Sequence, residues 1–341
     1  MIHIHPAQRR RLGVYHVMLA LMLSGLIGCG GNRPASNENT LEPNAAGILA
    51  LPDVAARTHE GERLRVLATT SIIGDVVHQV GGDAIDLTVL MRPGQDPHSY
   101  QPGAADLAAA ADANVIFVNG WNLEEALVKD LTTIGHQAII VPISAGIEPR
   151  KMTAGAEADD HGPFDPHVWQ DVGNVMVWVD NVRQVLSAAD PANEATYAAN
   201  AERYRAELQQ LDGELRARFD AIPPERRVLI TNHESLGYLA DAYGFRIAGT
   251  LIPSVSTLAE PTAAALANLI STMKAENICT IFLETTARDQ LARTLEKELT
   301  GCEEVRLIPL YTGSLGPVGS DADTYIGMMR ANAAALEEGL Q

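Results

Sequence analysis

The stretch Asp165-Pro166-His167-Val168-Trp169 repeats the chemistry of an earlier one, Asp96-Pro97-His98-Ser99-Tyr100. Proline lacks a backbone N–H and restricts the residue before it, so each Asp-Pro-His forms an extended, rigid corner. A histidine leaving such a corner has less freedom to lose when it is fixed on a ligand. Imidazole is the side chain most used for transition metals, so two such corners point to one shared ion. Either tripeptide alone would be a loop histidine satisfied by hydrogen bonds. The repeat with the same flanking chemistry favours the metal.

Around these corners the apolar pattern alternates between short β-rich runs and helical periodicity. In the first half, strands are expected over residues 64–68, 85–90, 115–118 and 138–141, with helices over 71–80 (opened by a Ser71 cap), 106–111 and 121–131. In the second half, strands fall at 228–231, 246–251, 278–283 and 305–310, and helices at 236–243, 261–274, 287–299 and 321–336. Such alternation means parallel sheets covered by helices on both faces. Between the halves, Asp190-Pro191 opens the longest helix with an acidic cap and a proline at its first position. Tyr197, Ala201, Tyr204, Leu208, Leu211, Leu215 and Phe219 recur at spacings of three and four, which gives it one apolar face; Pro223-Pro224 stops it. The expected architecture is α/β: two doubly wound parallel-sheet lobes, residues 63–189 and 223–341, joined by a long rigid helix over 190–222.

In such sheets ligands sit beyond the carboxyl ends of the strands. His98 follows the second strand, and His233 directly follows the run 228–232, one in each half. His167 ends the long loop 144–162 and precedes a helix over 172–186. Three imidazoles converging in a cleft between lobes can hold one metal ion. The loop residues Glu157, Asp159, Asp160 and His161 read as a solvated segment, and His78 and His136 lack any repeated context.

A chain of 341 residues, 46% hydrophobic and 20% charged, is globular and long enough for two lobes. Its formal net charge of −18 argues against nucleic-acid binding, which needs clustered Lys and Arg. Arg9, Arg10 and Arg11 precede an apolar run over 14–27, too short for a comfortable membrane span, which ends in Leu26-Ile27-Gly28-Cys29. That ending resembles the bacterial lipobox. It implies a signal peptide over 1–28, lipidation of Cys29, and a protein anchored to the membrane outside the cytoplasm, at the cell surface or in the periplasm. Residues 29–62, rich in Asn, Pro, Ala and Gly, read as a flexible tether in which Ile48-Leu49-Ala50-Leu51 has no evident role. Outside the cytoplasm, Cys279 and Cys302 are expected to be bridged across neighbouring strands; two free buried thiols are the alternative.

From residue 64 to the end, the chain resembles the solute-binding proteins of zinc and manganese ABC importers, the cluster A-I or ZnuA/TroA-like family. The matching stretches are Arg92-Pro93-Gly94-Gln95-Asp96-Pro97-His98-Ser99-Tyr100, Asn119-Gly120, Asp165-Pro166-His167-Val168-Trp169, Thr231-Asn232-His233-Glu234-Ser235-Leu236-Gly237-Tyr238 and Asp323-Thr324-Tyr325-Ile326-Gly327-Met328-Met329. The resemblance implies a buried metal between two lobes, a monomer, and partnership with a permease whose ATPase subunits hydrolyse ATP. This chain would be a binding component and not an enzyme. Matched position by position, His98 and His167 are implied as ligands from the first lobe. His233 is the third, at a position that is histidine in zinc-type members and often glutamate in manganese-type ones. Zn2+ is therefore the expected cargo and Mn2+ the alternative.

One position departs from the family. Its fourth ligand, an aspartate after the last strand, aligns with Gly313, which has no side-chain donor. Water, or a carboxylate from Asp321, Asp323, Glu284 or Glu234, would have to stand in. Asp321 and Asp323 also read as cap and first-turn acids of the last helix. A three-histidine zinc with an open water position is equally the site of a hydrolase, with Glu234 as its base. A structural lipoprotein with incidental metal is a third class. The lipid tether and the two lobes favour capture and delivery.

Overall fold

Parallel pairing of short, apolar strands sets the architecture. The computed structural model describes residues 41–58, 61–134, 137–152, 163–286 and 290–341. Strands β1 (Leu64–Ala68), β2 (Ile85–Val89), β3 (Val115–Val118) and β4 (Ile139–Pro142) form one parallel sheet in the order β2-β1-β3-β4. Strands β5 (Val228–Thr231), β6 (Arg246–Thr250), β7 (Thr280–Glu284) and β8 (Arg306–Leu310) form a second parallel sheet in the order β6-β5-β7-β8. The two lobes therefore share one topology. In each, the winding reverses between the first and third strands, and the diverging loops there leave a crevice at the carboxyl edge. Burial on both faces is why β3 is an unbroken Val-Ile-Phe-Val.

The first lobe carries α1 (Ser71–Gly81), α2 (Ala104–Asp112), α3 (Glu125–Ile134) and α4 (Val172–Ala189). After α5 (Glu194–Asp220) come α6 (Gly237–Tyr243), α7 (Ala263–Glu276), α8 (Gln290–Glu298) and α9 (Tyr325–Gly339) of the second. Helix boundaries differ from the sequence pattern where caps and turns intervene. Thr70, not Ser71, caps α1, its Oγ1 accepting from the Ile73 N–H at 3.2 Å. Trp121 and Asn122 take left-handed backbone, φ 47° and 56°, which a right-handed helix cannot contain, so α3 starts only at Glu125. Thr324 caps α9, which leaves Asp321 and Asp323 ahead of the helix instead of in its first turn.

A 3-10 turn over Pro191–Asn193 precedes α5, whose 27 residues span roughly 40 Å. Its buried residues are the seven of the expected apolar face. The helix packs against α1 and α4 on one side and α6 and α9 on the other. The main apolar cluster runs through it, linking Val66 and Phe117 of the first sheet to Phe282 and Ile308 of the second. The lobes thus share an apolar core, and smaller clusters around Ile116 and Leu127, and around Ile281 and Leu295, close their outer faces.

The tether expected over 29–62 is corrected where its residues are described. Leu49 is 1% exposed within the main cluster. The Gly146 N–H donates to the Leu49 carbonyl at 3.0 Å, and the Arg57 N–H to that of Ala189 at 2.7 Å. The apolar patch that a free tether leaves without purpose is what docks this segment onto the first lobe. Cys29 and the signal segment lie outside the described residues, as do His136, Glu157, Asp159, Asp160 and His161. Among the described residues no helix is long and apolar enough to cross a membrane.

Cys279 and Cys302 are disulfide-bonded, with Cα atoms 5.7 Å apart. They sit where the chain enters β7 and β8, at the edge opposite the carboxyl ends. Closing a loop of sequence separation 23 should contribute about 3 kcal/mol in the chain-entropy model. Cys302→Ser should therefore lower the urea-unfolding free energy by about that amount while leaving binding at the far edge untouched. An unchanged unfolding midpoint would show that the bridge does not constrain the unfolded chain.

Candidate metal centre

The two Asp-Pro-His corners fold alike. In each, the aspartate carboxylate accepts the backbone N–H of the histidine two residues on, Asp96 Oδ1 from His98 and Asp165 Oδ1 from His167, both at 3.0 Å. This is the Asx turn that a short acidic side chain makes at a chain reversal. The first corner lies in the loop after β2, and Asp96 also accepts from Thr257 Oγ1 of the second lobe at 2.6 Å. The second corner leads into a 3-10 turn over Val168–Gln170 and then α4. His233 stands two residues past β5, its carbonyl held by Thr231 Oγ1 at 2.9 Å.

All three imidazoles are buried, at 3%, 1% and 1% exposure for His98, His167 and His233. Their Nε2 atoms face one another: His98 to His167 at 3.1 Å and His233 to His167 at 3.1 Å. What lies behind the rings determines what these atoms can be. His167 Nδ1 donates to Asp165 Oδ1 at 2.9 Å, and His233 Nδ1 is paired with Glu284 Oε1. A carboxylate only accepts, so each Nδ1 carries a proton, and in the neutral imidazole each Nε2 presents a lone pair. Two lone pairs in van der Waals contact repel. A proton relieves one such pair, whereas a cation serves all three nitrogens. At zinc–nitrogen distances of about 2.0–2.1 Å, a 3.1 Å separation subtends roughly 100° at the ion, near the tetrahedral angle.

Electrostatics follow the same division. Burial pulls the His167 pKa down, against the opposing pull of Asp165, so its ring stays neutral. Burial also opposes charge on His233, but Glu284 outweighs it and the pKa ends above the ordinary value. Glu284 itself, raised by burial, is brought below the usual carboxylate range by His233 and His167 with Ser235.

The acids considered for a fourth position go elsewhere. Glu284, at the carboxyl end of β7, accepts from Ser235 Oγ at 2.9 Å and stands behind His233 instead of beside it. Asp323 accepts the Gly319 N–H at 2.9 Å, and Asp321 is exposed. Glu234 is only half-buried and is not grouped with the three imidazoles. Among the described residues, the group of His, Cys, Asp and Glu able to share one ion contains His98, His167 and His233 alone. Gly313 lies against the first corner, where a Cβ would come 3.2 Å from Pro97 Cδ.

Sequence reasoning missed the supports of the second corner. Asn119 Nδ2 donates to the Pro166 carbonyl at 2.9 Å. From the second lobe, the Tyr238 hydroxyl donates to the Asp165 carbonyl at 3.0 Å, and the Tyr325 hydroxyl to that of Trp169 at 2.8 Å. Trp169 Nε1 reaches back to the Thr312 carbonyl at 2.8 Å. Asn119, Tyr238 and Tyr325 all lie within the motif stretches, but only the fold shows what they hold. On the solvent side, His98 lines a hollow of about 420 Å³ together with Tyr100 and Leu258.

Residues 66–339 match the family model of ZnuA, the periplasmic zinc-uptake complex component A. The chain is 31% identical over 304 residues to the iron ABC transporter substrate-binding lipoprotein MtsA of Streptococcus pyogenes serotype M1, covering 86% of this chain and 94% of that protein. It is 31% identical over 283 residues to the manganese-binding lipoprotein MntA of Halalkalibacterium halodurans, covering 83% and 90% respectively. The periplasmic zinc binding protein TroA from Treponema pallidum has the same fold, with a TM-score of 0.74 and 28% identity over 82% of this chain and 99% of that one. With a match running from β1 to α9, this chain belongs to the ZnuA family of periplasmic uptake-complex components.

Proposed function

We propose that this protein captures a divalent transition metal ion outside the cytoplasm on His98, His167 and His233 and delivers it to the permease of an ABC importer. The observation that carries this is the convergence of three buried Nε2 atoms, two of them made acceptors by a carboxylate behind the ring. The relatives' roles in ABC uptake support delivery over hydrolysis: the ion is cargo, and ATP is hydrolysed by other subunits. Anchoring through a lipidated Cys29 fits relatives that are themselves named lipoproteins.

Zinc is the proposed cargo. Nitrogen donors suit zinc better than manganese, which prefers carboxylate, carbonyl and water oxygens. Gly313 removes the one oxygen donor that the family resemblance would supply, and solvent takes the fourth position. The relatives' names, which mention iron and manganese as well as zinc, make the metal the point to test. Competitive titration of the purified protein should give zinc the higher affinity over manganese. A preference for manganese would overturn the cargo assignment, and turnover of esters or CO2 by the loaded protein would revive the hydrolase reading. His167→Ala, which removes the central ligand, should weaken zinc binding by about 100-fold or more, beyond the range typical of outer-shell changes. Unchanged calorimetric affinity would reject the site.

Binding should also depend on pH in a defined direction. An imidazole must be neutral to ligate, and His233 has its pKa raised above the ordinary value by Glu284. Apparent zinc affinity is full above that raised pKa and weakens as pH falls below it, because protons then compete for His233. Glu284→Gln removes the raising charge, so the weakening should begin at lower pH even though affinity at neutral pH declines. Zinc titrations across the acid range read both effects.

Gly313→Asp should restore an oxygen donor beside the first corner, at the cost of a small shift of Pro97. It should raise manganese affinity more than zinc affinity, as measured by the same competition. No change in the ratio would place residue 313 outside the ligand sphere.

A further inference from the structure

We propose that residues 44–49, a strap ahead of the family-matched region 66–339, act as a positioning element for the metal centre, holding the loops that fix His167. The inference rests on the reading of the three histidines as metal ligands.

The strap is a built structure. Asn44 Oδ1 accepts the N–H groups of Ala46 and Ile48 at 2.8 and 3.1 Å, and the Asn44 N–H donates to the Ile48 carbonyl at 3.0 Å. These bonds fold a tight turn whose tip is Gly47, at φ +86°. Only glycine fits there: a Cβ would collide with the Phe164 ring and come 2.8 Å from Pro149 Cγ. The Gly47 carbonyl accepts from Trp121 Nε1 at 2.8 Å. Two residues on, Leu49 fills the space in front of Gly120, at φ +107°, where any Cβ would strike Leu49 Cδ1.

Both walls of this socket belong to the supports of His167. Phe164 immediately precedes Asp165, whose carboxylate orients the ring. Gly120 and Trp121 immediately follow Asn119, whose amide holds the Pro166 carbonyl. Trp121 is also strained, a non-glycine residue with left-handed backbone, a state that costs about 1–2 kcal/mol and persists only where its surroundings impose it. The strap supplies part of that imposition through the Gly47 carbonyl. Without it, Phe164 and Trp121 lose their cover, and the corner carrying the central ligand gains freedom.

Leu49→Ala and Trp121→Phe in the full chain test the proposal, with Leu269→Ala, in the outer cluster of the second lobe, as a core truncation remote from the site. Three quantities are read: zinc loss to a chelator, the visible spectrum of bound Co2+, and the melting temperature of the metal-free protein. Leu49→Ala should speed zinc loss about tenfold and shift the cobalt bands, as outer-shell changes do. Trp121→Phe, which keeps an aromatic ring but removes the donor to Gly47, should act in the same direction and serves as the deciding variant should Leu49→Ala fail to fold. Leu269→Ala should lower the melting temperature and leave both metal readouts unchanged. If the strap variants only melt earlier, with parental spectrum and zinc loss, the strap is mere surface cover and the proposal fails. If the parent protein itself takes up neither zinc nor cobalt, the metal reading falls, and the strap proposal with it.

Discussion

Two carboxylates placed behind two imidazoles constrain everything else at the centre. Asp165 and Glu284 sit against the Nδ1–H groups of His167 and His233 and hold the protons there, so that in the neutral rings the opposite nitrogens are acceptors that face each other in a buried space. Without a cation, protons have to bridge these nitrogens; a single cation could serve all three at once. The carboxylates stay out of the nitrogen ring yet lie close enough to balance much of a dication's charge, which a low-dielectric interior would otherwise make expensive to bury.

Such a geometry requires a stiff frame. The two lobes share a core through α5, and the second corner is held by hydroxyls and a carbonyl from the opposite lobe, those of Tyr238, Tyr325 and Thr312. Closely packed interiors move between discrete arrangements and do not deform smoothly, so His167 is positioned by both lobes at once. The common topology of the two sheets explains the approach of the other two imidazoles. His98 leaves the carboxyl edge of β2 and His233 that of β5, and the shared core turns these edges toward one cleft.

Much of the fold was legible from local chemistry. Strand and helix alternation, the seven-residue apolar face of α5 and the three histidines all depend on short-range pattern, and the structure contains them. The misreadings have particular causes. The helix expected from residue 121 fails because Trp121 and Asn122 take left-handed backbone, a state Trp rarely adopts, and Trp121 Nε1 is bonded to the distant Gly47 carbonyl. The tether expectation fails over 41–58 because the apolar patch at 48–51 is too short to show a period, and the socket that takes Leu49 lies on another element.

Glu284 marks the boundary most clearly. By residue type it was a fair candidate ligand, and composition cannot distinguish a carboxylate on the metal from one behind its ligand. That distinction depends on an ångström-scale choice of which atom faces which, made when β5 and β7 pair and carry Ser235 and Glu284 together. Local pattern was enough to single out the three histidines and their loops, because proline corners, caps and apolar periodicity act over a few neighbours. The tertiary structure alone decided which nitrogen points inward, which acid supports it and which segment clamps the corner, because those depend on atoms meeting from parts of the chain that local pattern does not relate.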